Sequence, residues 1–463
     1  MMRRGAVKEI QCNDGRGLRH MTFRDRLQRL RGQAPSLSEE GNSAPASVER
    51  PSLAERLRRM SVGQSRARSA HEPQTHVLAE AVGAVEIAPG VLCLERRFVG
   101  HRRHGQVSMG PCGNACIDAL IDRGWVTAAS HLAPRPESEP VASSPTVTDL
   151  VCLDTETSGL AGGTGTWAFM TGLLRGREDG WTLRQFLLTR LDSEPAYLEA
   201  IATELASAGL LVSYNGLSFD IPLLTTRFRL SGQADPLPAL PHLDLLKPVR
   251  RAYSRVWPDC RLASVEQRLL GFKRKDDLPG SEAPAAWLAW LRAGEVTPLA
   301  GVLRHNRWDL LSLAALIPRL GEVFEDPGAF DADVRAVAAY HQAQGRSDRA
   351  FELLKSERRR LDAAGLMDLA RLHRRRGGWD QARAIWDQLA DEGDAEARTE
   401  LAKYHEHRTR DLRRALALAR ELPPGPPKER RCARLNAKLD ARDGGSSGLL
   451  DALTAALDGP RTG

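Results

Sequence analysis

The chain has 463 residues, 42% of them hydrophobic, and a formal net charge of +7. That length suits two or three domains, and no run of about 18 apolar residues occurs, so a membrane span is not expected. The seven cysteines lie far apart except for Cys112 and Cys116, which fits reduced thiols of a cytoplasmic protein better than a disulfide scaffold or a zinc site.

The positive charge favours a polyanionic partner without proving one. The first residues, Met1-Met2-Arg3-Arg4-Gly5, are basic, but no apolar segment follows, so no secretory leader is expected. Residues 1–76 are rich in Arg, Ser, Pro and Gly and read as a disordered basic arm. Two short amphipathic patches within it, 23–30 and 53–60, read as marginal solvated helices, with a docking or nucleic-acid arm as the alternative. Residues 77–147 read as a β-hairpin extension and a linker. The hairpin turns at Pro89-Gly90 between two β-like runs, and 130–147 is Pro/Ser-rich.

Residues 148–325 mix strands and helices. An apolar strand at 151–156 runs into Asp154-Thr155-Glu156. A glycine-rich loop follows at 159–166, either a plain turn or a place for close backbone approach. Strands are expected at 167–174 and 181–188, a helix at 197–208 and another strand at 210–214. This order implies an α/β mixed sheet flanked by helices. The loop 215–219 leads to Asp220, at the start of a helix whose apolar face is Ile221, Leu223, Leu224 and Phe228. Residues 287–291 read as a buried helix, and a late helix carries His305 and Asp309.

Residues 326–440 read as helical repeats. Tyr340-His341, Leu372-His373 and Tyr404-His405 recur at intervals of 32 residues, as do Gly345 and Gly377, and Ala350 and Ala382. Helix, turn and an Ala-containing second helix make an all-α tetratricopeptide-like pattern, whose usual period is about 34. The histidines read as equivalent packing positions rather than a metal ladder. Past Pro423 the pattern fades, and 441–463 reads as a tail with a short helix at 449–457.

The chemistry lies in the acids. In Asp-Thr-Glu on a strand, Asp154 and Glu156 point to the same side. Asp154, Glu156, Asp220 and Asp309 come from separate elements, as a site for two divalent metal ions requires. Carboxylates suit hard ions, Mg²⁺ or Mn²⁺. His305 and Asp309 share a helix face, and a group titrating near neutrality can take a proton from water. His305 is therefore a catalytic candidate beside the acids. Asn215, Phe219 and Thr155 are candidate substrate contacts, although Asn215 reads first as a loop-fixing donor and Phe219 as packing beneath the site. Asp244 reads as a structural acid. Arg250, Arg251, Lys273, Arg274 and Lys275 read as solvated faces, with a phosphate track as the alternative.

The segments "LDTETSGL", "YNGLSFD" and "HNRWD" resemble the three exonuclease motifs of the DEDD superfamily, which has a ribonuclease-H-like fold. "DTETSGLAGGTGT", "HLDLLKPVRR", "KRKDDLPG" and "HNRWDLLSL" are similar to the YprB-type bacterial ribonuclease-H-like proteins over roughly residues 148–320. The resemblance implies that Asp154 bridges both metals and that Glu156 binds one and orients the water. It implies that Asp309 completes the first metal's shell, that Asp220 helps hold the second, and that His305 stands at the base position. In the histidine subtype the base lies five residues before the aspartate; four is the spacing of the tyrosine subtype. A histidine at the tyrosine spacing leaves the base open. The expected activity is metal-dependent 3′–5′ exonuclease cleavage of single-stranded DNA or RNA. The alternatives are a binding scaffold built on the repeats, which offer a surface to a protein partner, and an endonuclease on structured or hybrid nucleic acid.

Overall fold

A computed structural model describes residues 74–110, 125–127, 146–159 and 165–457, with side chains described up to residue 442. Residues 1–73 of the expected basic arm, with its two patches, and the pair Cys112/Cys116 lie outside the described residues, as does most of the glycine-rich loop; the arm's last two residues, Thr75 and His76, are helical.

Helix α1 (Thr75–Val82) precedes the hairpin β1 (Val85–Ala88) and β2 (Val91–Val99). A two-stranded ribbon, β3 (Arg103–His104) and β4 (Val107–Ser108), and the short β5 (Val126–Thr127) follow. The central strand is β6 (Leu150–Thr157), followed by β7 (Ala168–Arg177) and β8 (Gly180–Leu188). Next come α2 (Glu194–Leu205), β9 (Leu210–Ser213), α3 (Asp220–Leu230), β10 (His242–Asp244) and α4 (Leu246–Tyr253). Helices α5 (Ala283–Ala293) and α6 (Thr297–Glu325) complete this part.

The main sheet has eight strands in the order β1-β2-β8-β7-β6-β9-β10-β5. The run β2, β8, β7, β6 is antiparallel, whereas β9 pairs parallel with both β6 and β10. The hairpin is therefore no separate appendage. Strand β2 is paired with β8 along its whole length, from Val91 opposite Leu188 to Val99 opposite Gly180.

Because strand side chains alternate, β6 feeds two cores. Val151 and Leu153 enter one with Phe169, Tyr197, Phe228 and Trp287. Leu150 and Cys152 enter the other with Val249, Tyr253 and Leu310. Helix α6 serves both: Leu299, Val302 and Leu303 join the first, and residues from Leu310 onward join the second. His305, Asn306 and Asp309 fall at that changeover. Helix α6 comes so close to β7 that a Cβ on Gly172 would collide with the Asn306 and Leu310 side chains.

The second core continues into a C-terminal helical region, where Val334, Val337 and Tyr340 pack with Leu320, Val323 and Phe324. That region contains α7 (Val334–Ala343), α8 (Ser347–Ser356), α9 (Ala363–Arg375), α10 (Trp379–Asp391), α11 (Ala395–Tyr404) and α12 (Leu412–Arg420). Asp333, Asp362, Asp394 and Asp411 each cap a helix by accepting a backbone N–H three residues on, which satisfies an otherwise orphaned donor. Gly345 and Gly377 take positive φ at the turns inside two helix pairs, a conformation that favours glycine. The repeated histidines occupy packing positions: His341 is buried with Nε2 3.1 Å from the Phe324 carbonyl, and His373 meets the Phe351 ring edge-on.

One expectation fails here. The stretch after Pro423 is not patternless, because a single helix, α13, spans Pro426–Leu457. Leu435, Cys432 and Leu439 pack it against Ala415, Leu416 and Ala419 of α12. The apolar positions are sparse, so the periodic signal is weak, and long-range ion pairs to Glu406 add what composition does not reveal. Among the described residues, no helix is long and apolar enough to cross a membrane.

Candidate active site

Strand β6 carries Asp154 and Glu156 on one side of the sheet's centre. Thr155, between them, donates from its backbone N–H (3.0 Å) and its hydroxyl (2.5 Å) to Asp220 Oδ1. The acid at the start of α3 is thereby tied to the strand that carries the other two. Thr155, expected as a substrate contact, also positions Asp220.

The loop 215–219 is held by another carboxylate. Asp244 accepts the backbone N–H groups of Asn215 (2.7 Å), Leu217 (3.3 Å) and Leu246 (3.1 Å). Asn215 sits at φ 65°, a left-handed conformation that asparagine tolerates better than most residues. Its fixing role thus runs through its backbone, and Asp244 is the structural acid. Phe219 corrects an expectation: it does not pack beneath the site but stands 61% exposed. Its place just before the helix start leaves its ring facing solvent.

From α6, His305 Nε2 lies 3.5 Å from Asp309 Oδ2. His305 Nδ1 lies 2.9 Å from Asp277 Oδ1. A carboxylate only accepts hydrogen bonds, so the Asp277 contact calls for a proton on Nδ1, and Nε2 is the ring nitrogen turned toward Asp309. Asp309 is also ion-paired to Arg274, whose guanidinium reaches Glu266 and Asp277 as well. Arg274 is thus turned inward and is neither a solvated face nor part of a phosphate track. Behind it, Ser312 donates to Glu266, and His104 Nε2 lies 2.8 Å from the Ser312 hydroxyl. Burial pushes His104 down to about 4, so it is neutral in this chain of contacts.

Sequence reasoning missed Asn306. It is fully buried, donates to Asp154 Oδ2 (2.8 Å), and accepts from Gln185 Nε2 (2.8 Å). A polar residue next to His305, on a helix otherwise rich in leucine, was the available signal. It also missed the roles of Arg274, Asp277 and Glu266. The first two lie in "KRKDDLPG", where their charges resemble an ordinary exposed loop.

Electrostatically the cluster carries too much negative charge. Burial raises Asp154 well above the usual carboxylate range, and the charges of Asp309, Asp220 and Glu156 add to this. Burial likewise raises Glu156, with Asp309 and Asp220 pushing the same way and Arg274 opposing. Asp220 is raised to about 6 by burial, against the Thr155 hydrogen bonds. Glu156 Oε1 is buried and has no hydrogen-bond partner among the described residues. Ligand atoms of Glu156, His305 and Asp309 lie within 4.8 Å of one another. This close set includes the histidine. The Asp154 and Asp220 carboxylates beside it face Asn306 and Thr155. Crowded, buried oxygens with an orphaned acceptor fit a hard divalent cation, which would reverse the local preference for protonation.

A mixed sheet flanked by helices, with acids gathered at its central strand, is the layout of a ribonuclease-H-like protein. The family model of the RNase_H superfamily matches residues 151–320. The uncharacterized protein YprB of Bacillus subtilis is 33% identical over 287 residues, covering 59% of this chain and 68% of that protein. The chain therefore belongs to the same family as that Bacillus protein, within the RNase H superfamily, which suggests nuclease-like chemistry on nucleic acid. A family B DNA polymerase from the archaeon Pyrobaculum calidifontis is also similar, with 16% identity and a TM-score of 0.30, over 43% of this chain and 29% of the polymerase. A likeness that low carries no further argument.

Proposed function

We propose that the protein is a metal-dependent 3′–5′ exonuclease that hydrolyses phosphodiester bonds of single-stranded DNA or RNA. The observation that carries this reading is the surplus of buried negative charge around Glu156, which has one orphaned oxygen and feels the charges of acids from two other elements. RNase-H-like nucleases use divalent metals, and two Mg²⁺ or Mn²⁺ ions would supply an activated water and stabilise the leaving 3′ oxygen. Asp154, Glu156, Asp220 and Asp309 would hold them. His305 is the candidate to accept a proton from the water as its oxygen bonds to phosphorus and the bond to the 3′ oxygen breaks. Asp277 orients the imidazole for that role. Asn306 steadies Asp154, and Thr155 steadies Asp220. Phe219, exposed beside the site, supports a stacking contact with an unpaired base. This reading divides the chain into an exonuclease domain at 148–325, whose sheet the hairpin strands β1 and β2 extend, and tetratricopeptide-like repeats at 326–440 for a protein partner.

The test is incubation with end-labelled oligonucleotides, with Mn²⁺ or Mg²⁺ and with chelator. A ladder shortening from the 3′ end, abolished by chelator, is expected. Internal cuts would replace the reading with an endonuclease, and no cleavage with either metal would replace it with a binding scaffold.

A further inference from the structure

Helix α4 presents a charge pattern that the carboxylate site does not account for. Leu246, Val249, Ala252 and Tyr253 are buried. Lys247, Arg250 and Arg251 of α4, and Ser254 and Arg255 in the turn just past its end, are exposed; the first three fall at the spacing of one helix face. No acidic residue lies on that face. Among the described residues, no carboxylate pairs with Arg250, Arg251 or Arg255, whereas Arg274, the other arginine raised by the sequence, is fully engaged. Unpaired cations in a row repel one another, so a stripe of this kind is stabilised by a polyanion.

Two grooves connect the stripe to its surroundings. One, about 600 Å³, is lined by Tyr214 and Asn215 at the site loop and by Arg250, Ser254 and Trp257. The other, about 630 Å³, is lined by Lys247, Arg250, Arg251 and Arg255, by Arg335 of α7 and by one acid, Asp368 of α9. They meet at Arg250 and Ser254. The loop that ends in Asp220 and the start of α4 also share an anchor, since Asp244 accepts N–H groups from both. The cationic face is therefore rigidly joined to the loop that delivers a site acid.

We infer that the exposed face of α4 is a phosphate track that guides a single nucleic-acid strand from the loop at Asn215 along Arg250, Arg251 and Arg255 toward α7. This rests on the nuclease reading for what happens at the carboxylates, but the track is a binding surface whose existence needs no cleavage. Guanidinium groups suit phosphate oxygens through paired N–H donors. Arg335 is already paired to Asp368, so the continuous unpaired charge ends where the helical region begins.

The experiment uses the full chain in EDTA, with a fluorescent single-stranded oligothymidylate as the probe and anisotropy read over a salt series. The double variant Arg250→Glu/Arg251→Glu is compared with Arg414→Glu/Arg420→Glu, which changes net charge equally on α12. The α4 variant should bind at least tenfold more weakly, and its slope of log affinity against log salt should be flatter by about 1.4, the value for two lost phosphate contacts on a single strand. Arg250→Gln/Arg251→Gln should lose the same slope, which guards against misfolding of the reversed pair. Equal weakening by the α12 variant, or an unchanged slope in both α4 variants, would overturn the inference. So would polyglutamate of similar length binding as tightly as the oligonucleotide, since the surface would then suit an acidic protein. If binding follows the track while no metal supports cleavage, the nuclease reading falls alone.

Discussion

Two of the places where the protein buries charge handle it in opposite ways. Between α11 and α12, Glu406 is buried and grips Arg434 (2.7 Å) and Lys438 (2.7 Å) of α13. One negative group meets two positive ones, and helix is joined to helix. At the end of β6 the balance is reversed: Asp154, Glu156, Asp220 and Asp309 gather while Arg274 is shared among Asp309, Glu266 and Asp277. The first arrangement is satisfied within the chain. The second is incomplete by itself, and burying unmatched charge is costly. A fold that retains such a cost has it offset by something bound, so the imbalance, rather than the burial, separates a site from a structural cluster.

The sharpest way to break that contrast is Asp154→Asn. Under the proposed chemistry the variant should lose at least about a hundredfold in oligonucleotide cleavage, the scale seen when one preorganised electrostatic contact is removed. The metal-free protein should become more stable, because a group whose carboxyl is raised by burial and by neighbouring acids weakens the fold wherever it is ionised. Asparagine keeps an oxygen for the Asn306 amide. Melting in EDTA should rise by about 2–4 °C, and Mn²⁺ should erase the gain by stabilising wild type preferentially. Wild-type cleavage in the variant, or a lower melting temperature in EDTA, would make the cluster an ordinary structural one.

A narrower effect, on turnover without the rise in melting temperature, is expected at His305. Its imidazole is held by Asp277 and faces Asp309, so His305→Ala removes a proton acceptor while the crowded carboxylates stay. Turnover should fall by about 10²-fold or more, the range for general-base groups, with little change in oligonucleotide affinity. A loss under about twofold in kcat would move the base role to another group and leave His305 as a partner of Asp309 alone.

How far each cluster could be read from sequence follows from the range of its contacts. Asp154 and Glu156 were legible because a strand of period two fixes their common side, and His305 and Asp309 because a helix turn does the same. The mixed sheet was legible from alternating and continuous apolar runs. Asn306, Arg274 and Asp277 were not, since Asp154, Asp309 and His305, which they meet, lie 28 or more residues away or on another element, and nothing in residue type distinguishes an inward arginine from a solvated one. Phe219 misled for a related reason: an aromatic residue normally implies burial, and only the loop geometry exposes it. The repeat spacing made the regular turns at Gly345 and Gly377 legible, whereas α13 escaped because its contacts depend in part on ion pairs to Glu406, 28 and 32 residues away.

That dependence gives the mildest prediction. At Glu406, burial would raise the carboxyl, but hydrogen bonds and charge from Arg434 and Lys438 outweigh it and bring the group down to about 2. A lowered folded-state value means that the stabilisation is fully present above the ordinary carboxyl range, near pH 4.5, and is lost as pH falls from there through about 2. Glu406→Gln keeps the shape and removes the charge, and should cost about 1–2 kcal/mol at pH 7 because two charged donors are left facing a neutral amide. Amide hydrogen exchange is the suitable probe, since it reads helices separately. Protection across α12 and the first part of α13 should fall in the variant at pH 7, and the difference should narrow as pH is lowered toward 2. Cleavage should be unchanged, because this cluster lacks the surplus charge that marks the β6 acids. Protection equal to wild type at pH 7 would show that the α12–α13 contact rests on Leu435 and its apolar neighbours, and that the matched cluster contributes as little as an exposed ion pair.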